Sequence, residues 1–205
     1  MAFQEEQRIT LETYDATAEW YAQTHSDITE VQPQIDMFID LLPASAKTVL
    51  DIWCGPGRDA GYFVAQWYEV TGIDMSEKLL EIAQQHVPTA TFLLADMRTL
   101  SFDPGSFAGI WSCASLLHIP KVDVPATLVH RYDMLQPWGV LFIGVKAGTG
   151  EHMVQKDYYE GHEKFFAFYE LSELTQLITD AGFEIIKTDM DAKRDAWCNV
   201  FARKG

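Results

Sequence analysis

A chain of 205 residues has the length of one domain with a full core and is short for two. Its 48% hydrophobic content excludes a disordered chain, and no apolar run approaches the ~18 residues of a membrane span. A formal net charge of −15 speaks against nucleic acid or an anionic membrane as partner and leaves a small molecule as the expected one.

Three scattered cysteines, Cys54, Cys113 and Cys198, form neither a disulfide framework nor a zinc pattern, so no metal is expected. The start, Met-Ala-Phe-Gln-Glu-Glu, lacks the basic and apolar stretches of a signal peptide, and the expected location is cytoplasmic.

In chain order, Leu11, Tyr14, Ala18 and Tyr21 give the segment from Thr10 to Thr24 one apolar helical face. Ile35, Phe38, Ile39 and Leu42 give a second helix, ended by Pro43. Thr48 to Ile52 reads as a short buried strand, broken by Gly55-Pro56-Gly57, after which Asp59 to Gln66 opens a helix. Glu69 to Ile73 is a strand, and Ser76 to His86 a helix with Ser76 at its N-cap. Ala90 to Ala95 and Phe107 to Cys113 are strands, and Val122 to Leu135 is a helix. Val140 to Val145 is continuously apolar, as in a strand covered on both faces. Beyond a polar stretch to about Lys164, Ser172 to Ala181 is a helix. Phe183 to Met190 and Trp197 to Arg203 then form an antiparallel pair. Strands alternating with helices give an α/β, doubly wound, mostly parallel seven-stranded sheet with an antiparallel C-terminal strand, in one domain over residues 1–205.

In such a sheet, ligands bind beyond the carboxyl ends of the strands. After the first strand, Gly55, Gly57 and Ala60 fit a G-x-G-x-x-A turn; after the second comes Asp74, placed for a ribose diol. Asp96 and Met97 follow the third strand, and Ser112 and Cys113 close the fourth.

The segments Val49-Leu50-Asp51-Ile52-Trp53-Cys54-Gly55-Pro56-Gly57, Val70-Thr71-Gly72-Ile73-Asp74-Met75-Ser76 and Leu94-Ala95-Asp96-Met97 resemble successive motifs of the class I S-adenosylmethionine-dependent methyltransferases. Leu135-Gln136-Pro137-Trp138-Gly139-Val140-Leu141 resembles that superfamily's turn into its fifth strand. The resemblance runs from about Val31 to the C-terminus and implies a Rossmann-like methyltransferase fold with S-adenosylmethionine as cofactor. It further implies that Asp51, Gly55 and Gly57 lie around the methionyl end, with Asp74 on the ribose and Met75 over the adenine. Asp96 and Met97 would sit at the adenine edge, and Ser112 near the methionyl group through its backbone. Residues 1–45 would cap the cofactor side, and the insertion 148–170 would stand near the acceptor. Bland readings stay open beside these: Asp74 and Asp96 as loop caps, Met75 and Met97 as core fillers.

Methyl transfer from a sulfonium needs alignment and exclusion of water more than covalent help. A base is needed only for an acceptor with a tightly held proton, and His118 in Cys113-Ala114-Ser115-Leu116-Leu117-His118-Ile119-Pro120 is the candidate. A loop-fixing histidine is the other reading. Tyr14 and Tyr21 suit either a lid over the cofactor or a buried helix face. Tyr158, Tyr159, Phe165, Phe166, Phe168 and Tyr169 gather in the insertion and suit a roof over the acceptor, or the apolar side of a hairpin or helix.

Three tryptophans stand where relatives have glycine. Trp53 falls inside the cofactor turn and is expected to fill the methionyl pocket or disturb the loop, impairing activity. Trp67 falls at a helix C′ position that favours left-handed backbone. Trp138 is the second central residue of a Pro-x turn, and a type I form would spare it a positive φ. Two alternatives to the methyltransferase reading follow: a methyltransferase-like, non-catalytic binding domain, and an NAD-dependent oxidoreductase using Gly55, Gly57, Ala60 and Asp74.

Overall fold

The computed structural model describes residues 5–44, 46–155, 162–191 and 196–205. Tyr158 and Tyr159 lie outside them. The sheet runs β3 (Thr91–Leu94), β2 (Glu69–Asp74), β1 (Thr48–Ile52), β4 (Phe107–Cys113), β5 (Leu135–Lys146), β9 (Trp197–Lys204), β8 (Phe183–Asp191). The first five are mutually parallel; β9 is antiparallel to both β5 and β8. The expected α/β architecture is the one observed. The order reverses between β1 and β4, which puts the switch point beside the glycine turn.

Period-two alternation sends neighbouring residues to opposite faces. Leu50, Ile110, Leu141 and Ile143 pack with Leu128 of α6 (Val124–Met134) and with Leu174 and Ile178 of α7 (Leu171–Asp180). Val49, Trp111, Val140 and Phe142 pack on the other face with Ile35 and Phe38 of α3 (Gln32–Leu41) and Phe63 of α4 (Arg58–Ala65). Trp111 stacks on Phe142 at 4.0 Å and donates its indole N–H to Asp59, satisfying its polar atom inside the core. Phe38 lies so close to Gly109 that a Cβ there would meet its ring at 2.5 Å.

Ser76 does cap α5 (Glu77–His86), its hydroxyl accepting the Leu79 N–H. The expected single N-terminal helix is two: α1 (Glu5–Ala16) and α2 (Ala18–Thr24), separated at Thr17, whose φ of −110° and ψ of 12° leave helical geometry. The hydroxyls of Thr10, Thr13 and Thr17 each bond back four residues, a habit that bends helices. The insertion forms a hairpin, β6 (Glu151–Gln155) with β7 (Glu163–Ala167). Thr10 accepts the Phe165 N–H at 2.8 Å and Thr13 donates to the Glu163 carbonyl at 2.7 Å, so α1 is stitched to β7. No helix among the described residues is long and apolar enough to cross a membrane.

Candidate active site

The turn after β1 is held by backbone and by one acid. Cys54 N–H bonds the Ile73 carbonyl at 2.9 Å, and Gly57, with φ of 84°, opens α4. Asp74 accepts the Gly55 N–H on one oxygen (2.9 Å) and the Met75 and Ser76 N–H groups on the other (2.7 and 2.9 Å). It is 2% exposed, and burial pushes its carboxyl up to about 6 against the pull of those three donors. A carboxylate offers about four lone-pair sites, so one is left for a hydroxyl. Asp74 is thus first a fastener between the glycine turn and the start of α5. Met75, partly exposed, precedes α5.

Asp51 is buried beside it. Burial, with the carboxylates of Asp59 and Asp74 nearby, pushes its carboxyl well above the ordinary range, and its Oδ2 has no hydrogen-bond partner among the described residues. Ser112, fully buried at the end of β4, shares a 2.5 Å hydroxyl contact with Ser115.

The third acidic position behaves differently. Asp96 accepts the Arg98 N–H and both its oxygens meet the Arg98 guanidinium, at 2.6–3.1 Å. Arg98 reaches on to Gln7 of α1 and to Asp123 at the start of α6. Asp96 therefore carries an ion pair that competes with an adenine amine, a partner the motif did not reveal. Met97 is buried in the core, its sulfur 3.4 Å from an Arg131 nitrogen.

Trp53 has φ of 63°, so it occupies the glycine conformation while carrying an indole. The ring turns inward. It stacks on His118 at 5.2 Å and 29° and meets the Tyr14 edge at 6.2 Å, with its buried Nε1 making no hydrogen bond among the described residues. His118, expected on a loop, sits in a short 3-10 turn, Leu116–His118, and is 2% exposed. Its Nδ1 faces the Phe165 carbonyl at 2.9 Å, so the proton resides there. Nε2 is then the acceptor for the Tyr14 hydroxyl, also at 2.9 Å. Burial, reinforced by the Lys164 and Lys146 cations, pushes the imidazole down to about 3 and keeps it neutral. Lys164, 1% exposed, places its ammonium 3.5 Å from the Tyr14 ring centre and 5.1 Å from that of Tyr21. Sequence reading missed Lys164; a lysine directly before the pair Phe165-Phe166 was its signal.

The fold brings the glycine turn, Asp51 and Asp74 together at the carboxyl ends of β1 and β2. Residues 49–139 match the family described as Methyltransferase domain. A trans-aconitate 2-methyltransferase of Delftia acidovorans is 36% identical over 134 residues, 62% of this chain and 48% of that protein. The O-methyltransferase cnsE of Penicillium expansum is 29% identical over 181 residues, 82% of this chain and 63% of that one. Among solved structures, a 1,6-didemethyltoxoflavin-N1-methyltransferase of Burkholderia thailandensis, with S-adenosylhomocysteine bound, superposes with a TM-score of 0.75. It is 19% identical, with 100% of this chain and 92% of that one covered. The chain spans about half the length of the first curated relatives it matches, 44% and 48%. Over residues 49–139 the chain is thus similar in sequence to methyltransferases, and its fold is that of solved S-adenosylmethionine-dependent methyltransferases.

Proposed function

We propose that this chain transfers a methyl group from S-adenosylmethionine to a small-molecule acceptor by in-line displacement, with an efficiency reduced by Trp53. The observation that carries this reading is the paired acids at the β1–β2 edge. Asp74 fastens the open backbone of Gly55, and buried Asp51 keeps an oxygen with no hydrogen-bond partner among the described residues. That orphaned oxygen suits the donor's ammonium, and the remaining lone pair of Asp74 suits a ribose hydroxyl. Gly55, Gly57 and the Ser112 backbone would border the methionyl end, and Met75, Asp96 and Met97 the adenine. When bound, the cofactor supplies an already activated methyl. In this reading α1 and α2 close the donor side, and the β6–β7 pair walls the acceptor side.

His118 is the proton-handling residue in this proposal. Its Nε2, shared with the Tyr14 hydroxyl, is a weak base. A weak base suffices for a proton that becomes acidic as the methyl arrives, and it fails for an acceptor that must first be ionised. The partner is a small molecule rather than nucleic acid or membrane, in keeping with the charge of −15.

Trp53 favours one second reading, a domain that binds the cofactor poorly and serves in recognition. Calorimetric titration with S-adenosylmethionine, followed by a methyl-release assay on a metabolite mixture, separates the two. Saturable donor binding with turnover supports the enzyme. Absence of donor binding by both the native chain and Trp53→Gly rejects it. A nicotinamide cofactor fits less well, since the antiparallel β9 and the methyltransferase match both weigh against it.

A further inference from the structure

The buried residues of α6 recur at helical spacing: Val124, Thr127, Leu128, Arg131 and Met134. Arg131 is the misfit on that face, because it carries a full charge and is 1% exposed. Burial pulls its guanidinium down to about 10, which still leaves it charged at neutral pH. Its Nη2 stands 3.4 Å from the Met97 sulfur, a weak acceptor. Its Nε and Nη1 have no hydrogen-bond partner among the described residues.

A second orphan lies in the same apolar cluster. Tyr169, just beyond β7, is fully buried, and its hydroxyl also has no hydrogen-bond partner among the described residues. Its backbone is pinned on both sides. The N–H bonds the Lys146 carbonyl at 3.1 Å, and the carbonyl accepts the Gly148 N–H at 3.1 Å. Long side chains on a helix lean toward its N-terminus, so Arg131 reaches toward the turn Lys121–Asp123 that precedes α6. There the Lys121 ammonium lies 4.6 Å from the centre of the Tyr169 ring. Arg131 and Tyr169 are within electrostatic reach of one another, yet no hydrogen bond joins them. The carboxylates acting on Tyr169 are already engaged by Lys121. Glu173 receives its ammonium at 2.7 and 2.8 Å, and Glu151 its backbone N–H at 2.8 Å.

Burial pushes the Tyr169 hydroxyl up and keeps its proton, so both groups offer donors. What they lack in common is an acceptor. A water would fill that place and leave the buried charge unbalanced, whereas a small anion does both. We propose that Arg131 and Tyr169 hold a small inorganic anion, chloride, between α6 and the chain leaving the β6–β7 pair, as an internal site apart from the glycine turn. Bound there, the ion joins two layers of the fold and stabilises the native chain in step with its concentration.

Two measurements on the full chain test this. In crystals grown in sodium bromide, anomalous scattering is expected to place bromide within hydrogen-bond reach of the Arg131 guanidinium and the Tyr169 hydroxyl. In solution, chloride is raised at constant ionic strength, with the bulkier isethionate making up the balance. The Tm is expected to climb by roughly 3 °C or more and then to saturate. Tyr169→Phe should weaken the apparent chloride affinity about tenfold. Arg131→Met should abolish the chloride response and, at low chloride, melt no lower than the native chain, because a buried charge has gone. No bromide at this position, a Tm indifferent to chloride, or a chloride response that survives Arg131→Met overturns the proposal. Should Arg131→Met fail to fold, the bromide position and the Tyr169→Phe titration decide the matter.

Discussion

Three tryptophans share one backbone conformation, with φ of 63° at Trp53, 65° at Trp67 and 66° at Trp138, at opposite ends of the sheet. Trp67 and Trp138 lie at the amino ends of the parallel strands and turn outward, 88% and 62% exposed. Trp67 is the C′ residue of a Schellman motif closing α4. Its N–H bonds the Val64 carbonyl at 2.9 Å, and the Tyr68 N–H bonds that of Phe63 at 3.1 Å. Trp138 does not escape into a type I turn; its positive φ is that of the type II form. Trp53, at the carboxyl end, turns inward onto His118 and Tyr14. The left-handed cost is local and similar at all three, roughly 1–2 kcal/mol each. Where the indole goes decides whether that cost falls on stability alone or also on ligand binding.

Trp53→Gly breaks or sharpens this contrast most directly. Donor affinity measured by calorimetry should rise at least tenfold, about 1.4 kcal/mol or more, because no stacked indole has to be displaced. Unchanged affinity would mean that the ring already lies clear of the donor. Acid sensitivity belongs to the same inward cluster. His118 is held neutral down to about 3, below its ordinary ~6.5, so its contribution to stability is present above ~6.5 and is lost as pH falls toward 3. Asp74, raised to about 6, acts in the opposite sense, its share being present below ~3.9 and lost as pH rises through 6. Urea unfolding of His118→Phe should therefore show a flatter acid limb than the native chain, by up to about 1 kcal/mol per pH unit. Trp67→Gly should leave that limb unaltered.

At the outward sites the effects are smaller and confined to stability. Trp67→Gly should stabilise by about 1 kcal/mol, seen as a Tm raised by roughly 2–4 °C. Trp138→Gly should gain somewhat less, since its ring keeps some contact to lose, and the double variant should be close to additive. Neither should alter donor affinity. A change in affinity on replacing either would show that the two ends of the sheet are coupled.

The glycine turn, the acid after β2, the cap at Ser76 and the strand order were legible because each is a local pattern set by backbone geometry. Trp67 and Trp53 were legible as misplaced glycines for the same reason. The partners of His118 were not: Tyr14 is 104 residues away and Phe165 is 47, and the packing of α1 and β7 around the 3-10 turn brings them together. Asp96 was legible as an acid at a strand end, but the arginine two positions on, which fills both its oxygens, was not weighed. Thr17, inside an unbroken apolar periodicity, gave no sign of the helix break.

The threonine stitches have a consequence for how ligands enter. α1 supplies Tyr14 to His118 and, through Thr10 and Thr13, grips β7. One helix is thus shared between the His118 cluster and the β6–β7 pair. A ligand that has to raise α1 lowers the free energy that a second one must spend. By thermodynamic reciprocity, two ligands that each have to raise α1 strengthen each other's binding by the same factor.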